Sequence, residues 1–504
     1  MNRAVFALVL ICSPLIAQEV HSHPMPEKLG KVSFSTSCQP AVQQQFDRGV
    51  ALLHSFSYGP ADEVFASVVR QDPQCAIAHW GRAMTHYHQL WDLPPSQADA
   101  SVAAAEISQA ISLNASERER AFILAVSLVF NTTSTSSYSI RALNYEAAMR
   151  DVATANPKDV ESQVFYALSL VSNASTLDKS HGRQKAALSL LEPLDRKYPD
   201  HPGIAHYVIH ACDNQELAPR GLAAARRYAG IAPSAPHALH MPSHIFTRLG
   251  LWQDSIQSNL AARQAARKAG DVGEELHAMD YLVYAYLQRG DDQGAAQVIA
   301  QLKAMQNLHM SEFKTGYAAT AMPIRYLMER HEWSKAVLVD NPVEGAQSHV
   351  VAIAAWSRGV GFARTGHPEQ ADQEAKAMTQ FETQLRASGN EYWATQVGIM
   401  QREVAAWSAQ ADHQPEKAAA ILRSAADDED AIEKLPLTPG PIIPAREQLG
   451  ELLLLQNNPG GARKEFETAI VNSPGRRGAL QGKAQAERSA AGLSDKRVID
   501  QPSK

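Results

Sequence analysis

Small and apolar residues recur along the chain at a spacing that predicts paired helices. Near the C-terminus, seven of them fall in one register: Leu449, Gly450, Leu453, Ala462, Phe466, Ala469 and Pro474. The small residues among them allow two antiparallel helices to approach closely. Phe466 then fills the gap to the next hairpin. Pro474 ends the second helix, because proline has no amide hydrogen to donate.

The same pattern occurs in two further copies. The copy near the N-terminus has Gly49, Leu52, Ala61, Phe65 and Pro73, and a third has Gly359, Phe362 and Ala371. One such match would be expected by chance in an unrelated all-α domain, but three in the same register indicate an internal repeat.

These residues resemble the tetratricopeptide repeat (TPR) family. The resemblance is clear over residues 42–84 and 356–484, and degenerate between them. It implies an all-α fold, a TPR-like α-solenoid of stacked antiparallel hairpins wound into a right-handed superhelix. It also implies that the first helix of each hairpin lines a concave groove that contacts a ligand. A protein or peptide is the expected ligand.

The pattern divides the chain into segments. The predicted segments are a signal peptide (1–17), an extended N-terminal segment (18–41), an N-terminal TPR-like array with a histidine-rich groove (42–270), a central TPR-like array (271–435), a proline-rich connector (436–444), a C-terminal TPR hairpin (445–485) and a tail (486–504). The connector cannot be helical, because four prolines and a glycine fall within nine positions.

Composition narrows the class of partner. The 504-residue chain has a formal net charge of −6 and no polybasic block. Nucleic acid is therefore not expected as a partner. Apolar residues make up 45% of the chain, which is enough to bury a core.

The first residues have the features of an export signal. Arg3 precedes the apolar stretch from Ala4 to Ile11, and Ala17 supplies a small residue at a cleavage point. The alternative is a buried N-terminal helix. The export interpretation predicts a periplasmic or secreted protein. No membrane span is expected after cleavage of the signal.

Export would allow the cysteines to form a disulfide. Cys38, Cys75 and Cys212 remain after cleavage, and an oxidising compartment permits one disulfide. A Cys38–Cys75 bridge would hold the ends of the first hairpin together and leave Cys212 free. Three unpaired, buried thiols are the alternative.

Histidines cluster at the predicted groove positions of three successive repeats. The candidate ligand-binding residues are His206, His210, Asp213, His237, His240, His244, His277, Asp280 and Tyr284. Two histidine pairs have the i, i+4 spacing, which places both imidazoles of a pair on one helical face.

The histidine pairs suggest a metal site. Neutral imidazole is a preferred ligand of zinc, copper and iron, so His206, His210, His240 and His244 are the candidate ligands of a divalent transition metal. Alternatively, these histidines line the groove and hydrogen-bond to each other or to a ligand. A second alternative is that Pro242 breaks the helix and removes His240 from the shared face.

The sequence contains no phosphate-binding glycine loop, nucleophile elbow or metalloprotease motif. No catalytic residue is therefore assigned. The leading hypothesis is an exported binding or scaffold protein that recognises a ligand in its groove. The alternative is a metal-binding protein or metal-dependent enzyme that uses the histidines and aspartates.

Overall fold

A computed structural model of the protein describes residues 27–90, 94–131, 136–342 and 345–492. Helices, and no strands, make up the regular structure of these residues. After a 3₁₀ turn at Pro40–Val42, the α-helices are α1 (Gln43–His54), α2 (Tyr58–Gln71), α3 (Ala76–Met84), α4 (Gln97–Ser112), α5 (Glu117–Ser127), α6 (Tyr138–Ala155), α7 (Val160–Ser172), α8 (Gly182–Lys197), α9 (Pro202–Ala211), α10 (Ala218–Ile231), α11 (Pro236–His240), α12 (Pro242–Arg248), α13 (Trp252–Ala269), α14 (Val272–Arg289), α15 (Asp292–Ala304), α16 (Phe313–Glu329), α17 (Trp333–Ala336), α18 (Ser348–Arg364), α19 (Pro368–Ala387), α20 (Glu391–Ala411), α21 (Pro415–Asp430), α22 (Ala445–Leu455), α23 (Pro459–Asn472) and α24 (Arg477–Ala490).

Helices that follow one another in the chain pack against each other, which gives the stacked hairpins of a TPR-like α-solenoid. Buried apolar side chains form three clusters in chain order, over residues 29–246, 256–322 and 317–486. The core therefore extends along the stack, as expected when each hairpin contacts mainly its neighbours. The predicted fold class is confirmed.

Two phenylalanines show how the repeat register determines packing. A Cβ atom added to Gly450 would lie 2.7 Å from the ring of Phe466, and one added to Gly482 would lie 2.3 Å from the same ring. In the N-terminal copy, Gly49 and Gly81 contact the ring of Phe65 in the same way. Each ring is therefore held between glycines of two different helices, and a side chain at either glycine would clash with it.

The predicted disulfide is formed. Cys38 lies before the first helix and Cys75 caps the start of α3, with their Cα atoms 4.8 Å apart. The bridge closes the chain around the first hairpin. Cys212 is free and buried, and burial raises the pKa of its thiol to about 12.

The helices can be set beside the predicted segments. Residues 431–444 contain no helix and join α21 to α22. This segment includes the predicted connector and is called the connector below. The predicted array boundary at 270/271 coincides with the turn between α13 and α14, where Gly270 adopts a positive φ of 73°. Helix α24 continues to Ala490, past the predicted start of the tail at residue 486, because its buried Ala486 still packs on the stack.

The predicted signal peptide lies outside the described residues, as do residues 18–26 of the extended segment and residues 493–504 of the tail. In the part of the chain that the structure describes, no helix is both long enough and apolar enough to cross a bilayer.

We expect Gly450→Ala to lower the free energy of unfolding by about 1–3 kcal/mol, because the new methyl group overpacks against Phe466. Gly460→Ala is the matched control, since a Cβ atom there would meet nothing within 4 Å. Denaturant unfolding should separate the two variants. Equal stabilities would show that the glycine–phenylalanine contact does not limit packing.

Removal of the disulfide by Cys38→Ser and Cys75→Ser together should cost about 2–4 kcal/mol, because the bridge closes a loop with a sequence separation of 37. Thermal unfolding of this double variant beside the oxidised parent tests the expectation. An unchanged midpoint would contradict a stabilising role for the bridge.

Candidate metal centre

Six histidines from four helices lie side by side in the interior of the stack. His206 and His210 come from α9, His237 and His240 from α11, His244 from α12 and His277 from α14. Between 0% and 8% of each residue is exposed, with His210 the most exposed. They form two groups of three, in each of which one ligand atom per residue lies within 4.8 Å of the others. The first trio is His206, His210 and His237, and the second trio is His240, His244 and His277.

Prolines determine where the helices that carry these residues begin. Pro202 occupies the first turn of α9, and Pro242 begins α12. Pro242 does interrupt the helix, as the sequence allows, and separates α11 from α12. Met241 nevertheless keeps right-handed helical angles (φ −53°, ψ −36°), so His240 and His244 stay on one face.

In the first trio, hydrogen bonds orient two of the rings. The Nδ1–H of His206 donates to the backbone oxygen of His54 over 2.6 Å, and the Nδ1 of His237 lies 3.2 Å from a carboxylate oxygen of Glu274. Because each acceptor is an oxygen, the proton resides on Nδ1 and Nε2 keeps its lone pair. The ring of Phe56 packs on all three imidazoles and covers them.

In the second trio, two Nε2 atoms face each other. The Nδ1–H of His240 donates to Oδ1 of Asn259 over 2.6 Å, and the Nδ1–H of His244 donates to Asp213 over 2.8 Å. The Asn259 amide is oriented by its NH₂ group, which donates to the backbone oxygen of Ser255. Both imidazoles therefore direct lone pairs at each other, with the Nε2 atoms 3.0 Å apart.

The remaining Nε2 atoms also lack a partner. Those of His206, His210, His237 and His277 are buried, and no hydrogen-bond partner is found for them among the described residues. A buried polar atom without a partner is costly, and two opposed lone pairs repel each other. A cation within each trio would satisfy these atoms.

Asp213 anchors the second trio and does not join either group of three. Besides His244, its carboxylate binds Nε of Arg248 and Nζ of Lys434, each at 2.9 Å. Burial opposes ionisation of Asp213, but Lys434, Arg248 and His244 hold its pKa well below the ordinary value. The aspartate thus stays charged and fixes the Nδ1 proton of His244.

A third cluster, formed by His54, Glu161 and His201, lies next to the first trio. Glu161 accepts from Nε2 of His54 over 2.8 Å and from Nε2 of His201 over 2.9 Å. Although burial disfavours its charge, these two histidines hold the pKa of Glu161 well below its ordinary value. The backbone oxygen of His54 accepts the hydrogen bond from Nδ1–H of His206. This cluster therefore positions a member of the first trio.

The four predicted metal ligands lie in two different groups. The sequence grouped His206, His210, His240 and His244 as the ligands of one cation, whereas in the structure each of the two pairs lies with a third histidine, His237 or His277.

Asp280 and Tyr284 lie away from both trios on α14. Asp280 is fully buried beside Arg325, with 3.6 Å between Oδ1 and Nε, and burial raises the pKa of its carboxyl to about 6. The hydroxyl of Tyr284 accepts from Arg476. Their repeat register matches that of the histidines, but they lie one and two turns further along α14 from His277.

The connector and a cavity lie on two sides of the histidines. Tyr281 packs its ring against the second trio, and its hydroxyl donates to the backbone oxygen of Thr438 in the connector. A cavity of about 420 Å³ reaches His210, Asp213 and Lys434 from outside. Small solutes can therefore approach the first trio through the cavity.

Sequence reasoning missed the residues that orient the imidazoles. Asn259, Glu274, Phe56 and the backbone oxygen of His54 carry no motif, and they reach the site only through the packing of distant helices. A weak signal existed for Glu274, because it lies three residues before His277 on the same predicted helix.

The chain has structural neighbours among known proteins but no match by sequence. No protein-family model matches the chain, and no curated protein matches its sequence. Among solved structures, it is similar to the P58(IPK) TPR domain (13% identity, 90% of this chain and 99% of that one, TM-score 0.24). It is also similar to the APC/C hetero-tetramer Cut9–Hcn1 (10%, 88% and 76%, 0.34) and to a monomeric IFIT1 mutant with Gppp-AAAA (11%, 82% and 90%, 0.35). At these scores, none supports an inference about function.

Burial lowers the pKa of the imidazoles of His206, His210, His240, His244 and His277. At His244 the Asp213 carboxylate partly offsets this effect, whereas at the other four a neighbouring imidazole lowers the pKa further. In the metal-free protein these residues are therefore neutral at pH 7.

The metal-free protein should lose stability as the pH falls below about 6.5. In that range the histidines of the unfolded chain bind protons, whereas the buried imidazoles of the folded chain do not. The expected loss is up to about 1.4 kcal/mol per pH unit for each histidine. Thermal unfolding between about pH 7.5 and pH 5 measures it. His206→Gln should make the dependence shallower, and replacement of the exposed His309 by Gln should leave it unchanged. A flat profile would contradict burial of neutral imidazoles.

Proposed function

We propose that this protein is a metal-binding protein of TPR-like fold, which holds one transition-metal ion in each histidine trio. The observation that carries the proposal is the direction of the six Nε2 atoms. Four have no hydrogen-bond partner among the described residues, and those of His240 and His244 face each other at 3.0 Å. Metal ligation would satisfy such lone pairs.

The hydrogen bonds behind the rings support the same function. Metal-bound histidines usually donate their second nitrogen to a carboxylate or carbonyl oxygen, which fixes the tautomer and the ring orientation. His206, His237 and His244 donate to such oxygens, and His240 donates to an amide oxygen. This arrangement leaves Nε2 available for a metal in each of the four.

The spacing of the nitrogens also fits. Two nitrogens bound at about 2.0–2.1 Å in tetrahedral geometry lie roughly 3.3 Å apart. His240 and His244 are within a few tenths of an ångström of that separation, and the other ligand atoms of the trios lie within 4.8 Å of one another. Binding of one ion in a trio would require the rings to rotate so that their three nitrogens come closer together.

A second candidate function is the ligand-binding scaffold that the family resemblance implies. A separate cavity of about 160 Å³ favours it, because aromatic side chains line its wall beside the connector. The aromatic residues are Tyr284, Tyr317, Trp356, Tyr392 and Trp393. Aromatic walls with a few polar groups are typical of ligand pockets. The two functions are compatible, since no histidine of the trios lines this cavity.

Metal analysis of untagged protein, purified without chelating resin and incubated in turn with zinc, copper and iron(II), tests the proposal. We expect two ions per chain of at least one of these metals. His237→Gln and His277→Gln should each retain one ion, and their combination none, because each change removes a ligand of one trio. His309→Gln should retain two, since His309 is exposed and belongs to neither trio. Absence of bound metal in the parent, or equal metal content in all variants, would refute the proposal.

A further inference from the structure

The charges around the trios indicate which metal they take. All six candidate ligands are imidazoles, which bring no negative charge, and neither trio includes a carboxylate. The two acidic groups that hydrogen-bond to the rings are already neutralised. Asp213 pairs with Arg248 and Lys434, and Glu274 pairs with Lys314. Any charge that the metal brings is therefore uncompensated by the protein.

Uncompensated charge is expensive at this depth. The imidazoles are at most 8% exposed, and the cost of burying an ion rises with the square of its charge. A monovalent ion is thus about four times less costly to bury than a divalent one. The same factor applies to the repulsion between two ions, because that repulsion depends on the product of their charges.

The two ions would lie close together. The ring centres of His237 and His240, which belong to different trios, are 6.1 Å apart, and those of His210 and His244 are also 6.1 Å apart. Apolar and aromatic groups, Phe56 and Tyr281, cover the two trios. Repulsion between the ions is therefore only weakly screened by solvent.

The number and type of ligands also favour a monovalent ion. Structural zinc sites use four protein ligands, zinc held by three histidines keeps a water molecule in its fourth position, and iron(II) sites commonly include a carboxylate. Three imidazole nitrogens with no carboxylate are a complete set for copper(I), a monovalent ion that accepts trigonal coordination by nitrogen. We propose that each trio binds one copper(I) ion, so that the protein carries a pair of copper(I) ions in its interior. This inference rests on the proposed metal-binding function and names the ion.

Anaerobic titration of the metal-free protein with copper(I) in the presence of bicinchoninate, a coloured copper(I) chelator, tests the inference. The parent should withdraw two equivalents from the chelator. His237→Gln should withdraw one, and His309→Gln two. Cys212→Ala should also withdraw two, which separates the imidazoles from the buried thiol. A tenfold excess of zinc should leave both copper ions bound, as measured by mass spectrometry of the desalted protein.

The outcomes distinguish the two proposals. If two zinc or iron(II) ions bind and copper(I) stays with the chelator, or if zinc displaces the copper, the copper(I) assignment is wrong and the metal-binding function stands. If copper(I) binding is lost in Cys212→Ala and kept in the histidine variants, the assignment to the trios is wrong. If none of the three metals binds, both proposals fail.

Discussion

The histidine centre depends on one constraint: a buried imidazole nitrogen with a free lone pair needs a partner. His206, His240 and His244 are each held by a hydrogen bond from Nδ1 to oxygen, which leaves Nε2 without a proton. The helices then place these nitrogens against other imidazoles instead of against donors. A protein interior normally pairs such atoms, so a whole cluster without partners needs a physical reason. A pair of bound metal ions would supply it, and Phe56 and Tyr281 would then cover the ions.

The stacked hairpins make this arrangement available. Glycines that receive a phenylalanine ring, as in the Gly450–Phe466 contact, let neighbouring helices pack closely at the two ends of the stack. Histidines at equivalent positions of successive hairpins then meet across neighbouring helices. A solenoid usually presents such positions in an open groove. Here the connector packs over them through Tyr281 and Thr438 and converts part of the groove into an interior.

The fold was predictable from the sequence, because the repeat pattern records local spacing and close helix contacts. The Cys38–Cys75 bridge followed from the same register. The site was predictable only in part: the i, i+4 pairs identified four histidines, but the third member of each trio depends on how neighbouring helices pack. The roles of Asn259 and of the His54 backbone oxygen depend on contacts between residues 19 and 152 positions apart, which no local pattern reports. Asp280 and Tyr284 matched the register but packed elsewhere.

Anomalous diffraction from crystals of the metal-loaded protein, recorded at the absorption edge of the bound metal, tests the central claim most directly. The account predicts two anomalous peaks per chain. One should lie among the Nε2 atoms of His206, His210 and His237, and the other among those of His240, His244 and His277. A single peak shared by the two trios, ligation through Nδ1, or peaks confined to exposed residues such as His309 would contradict it.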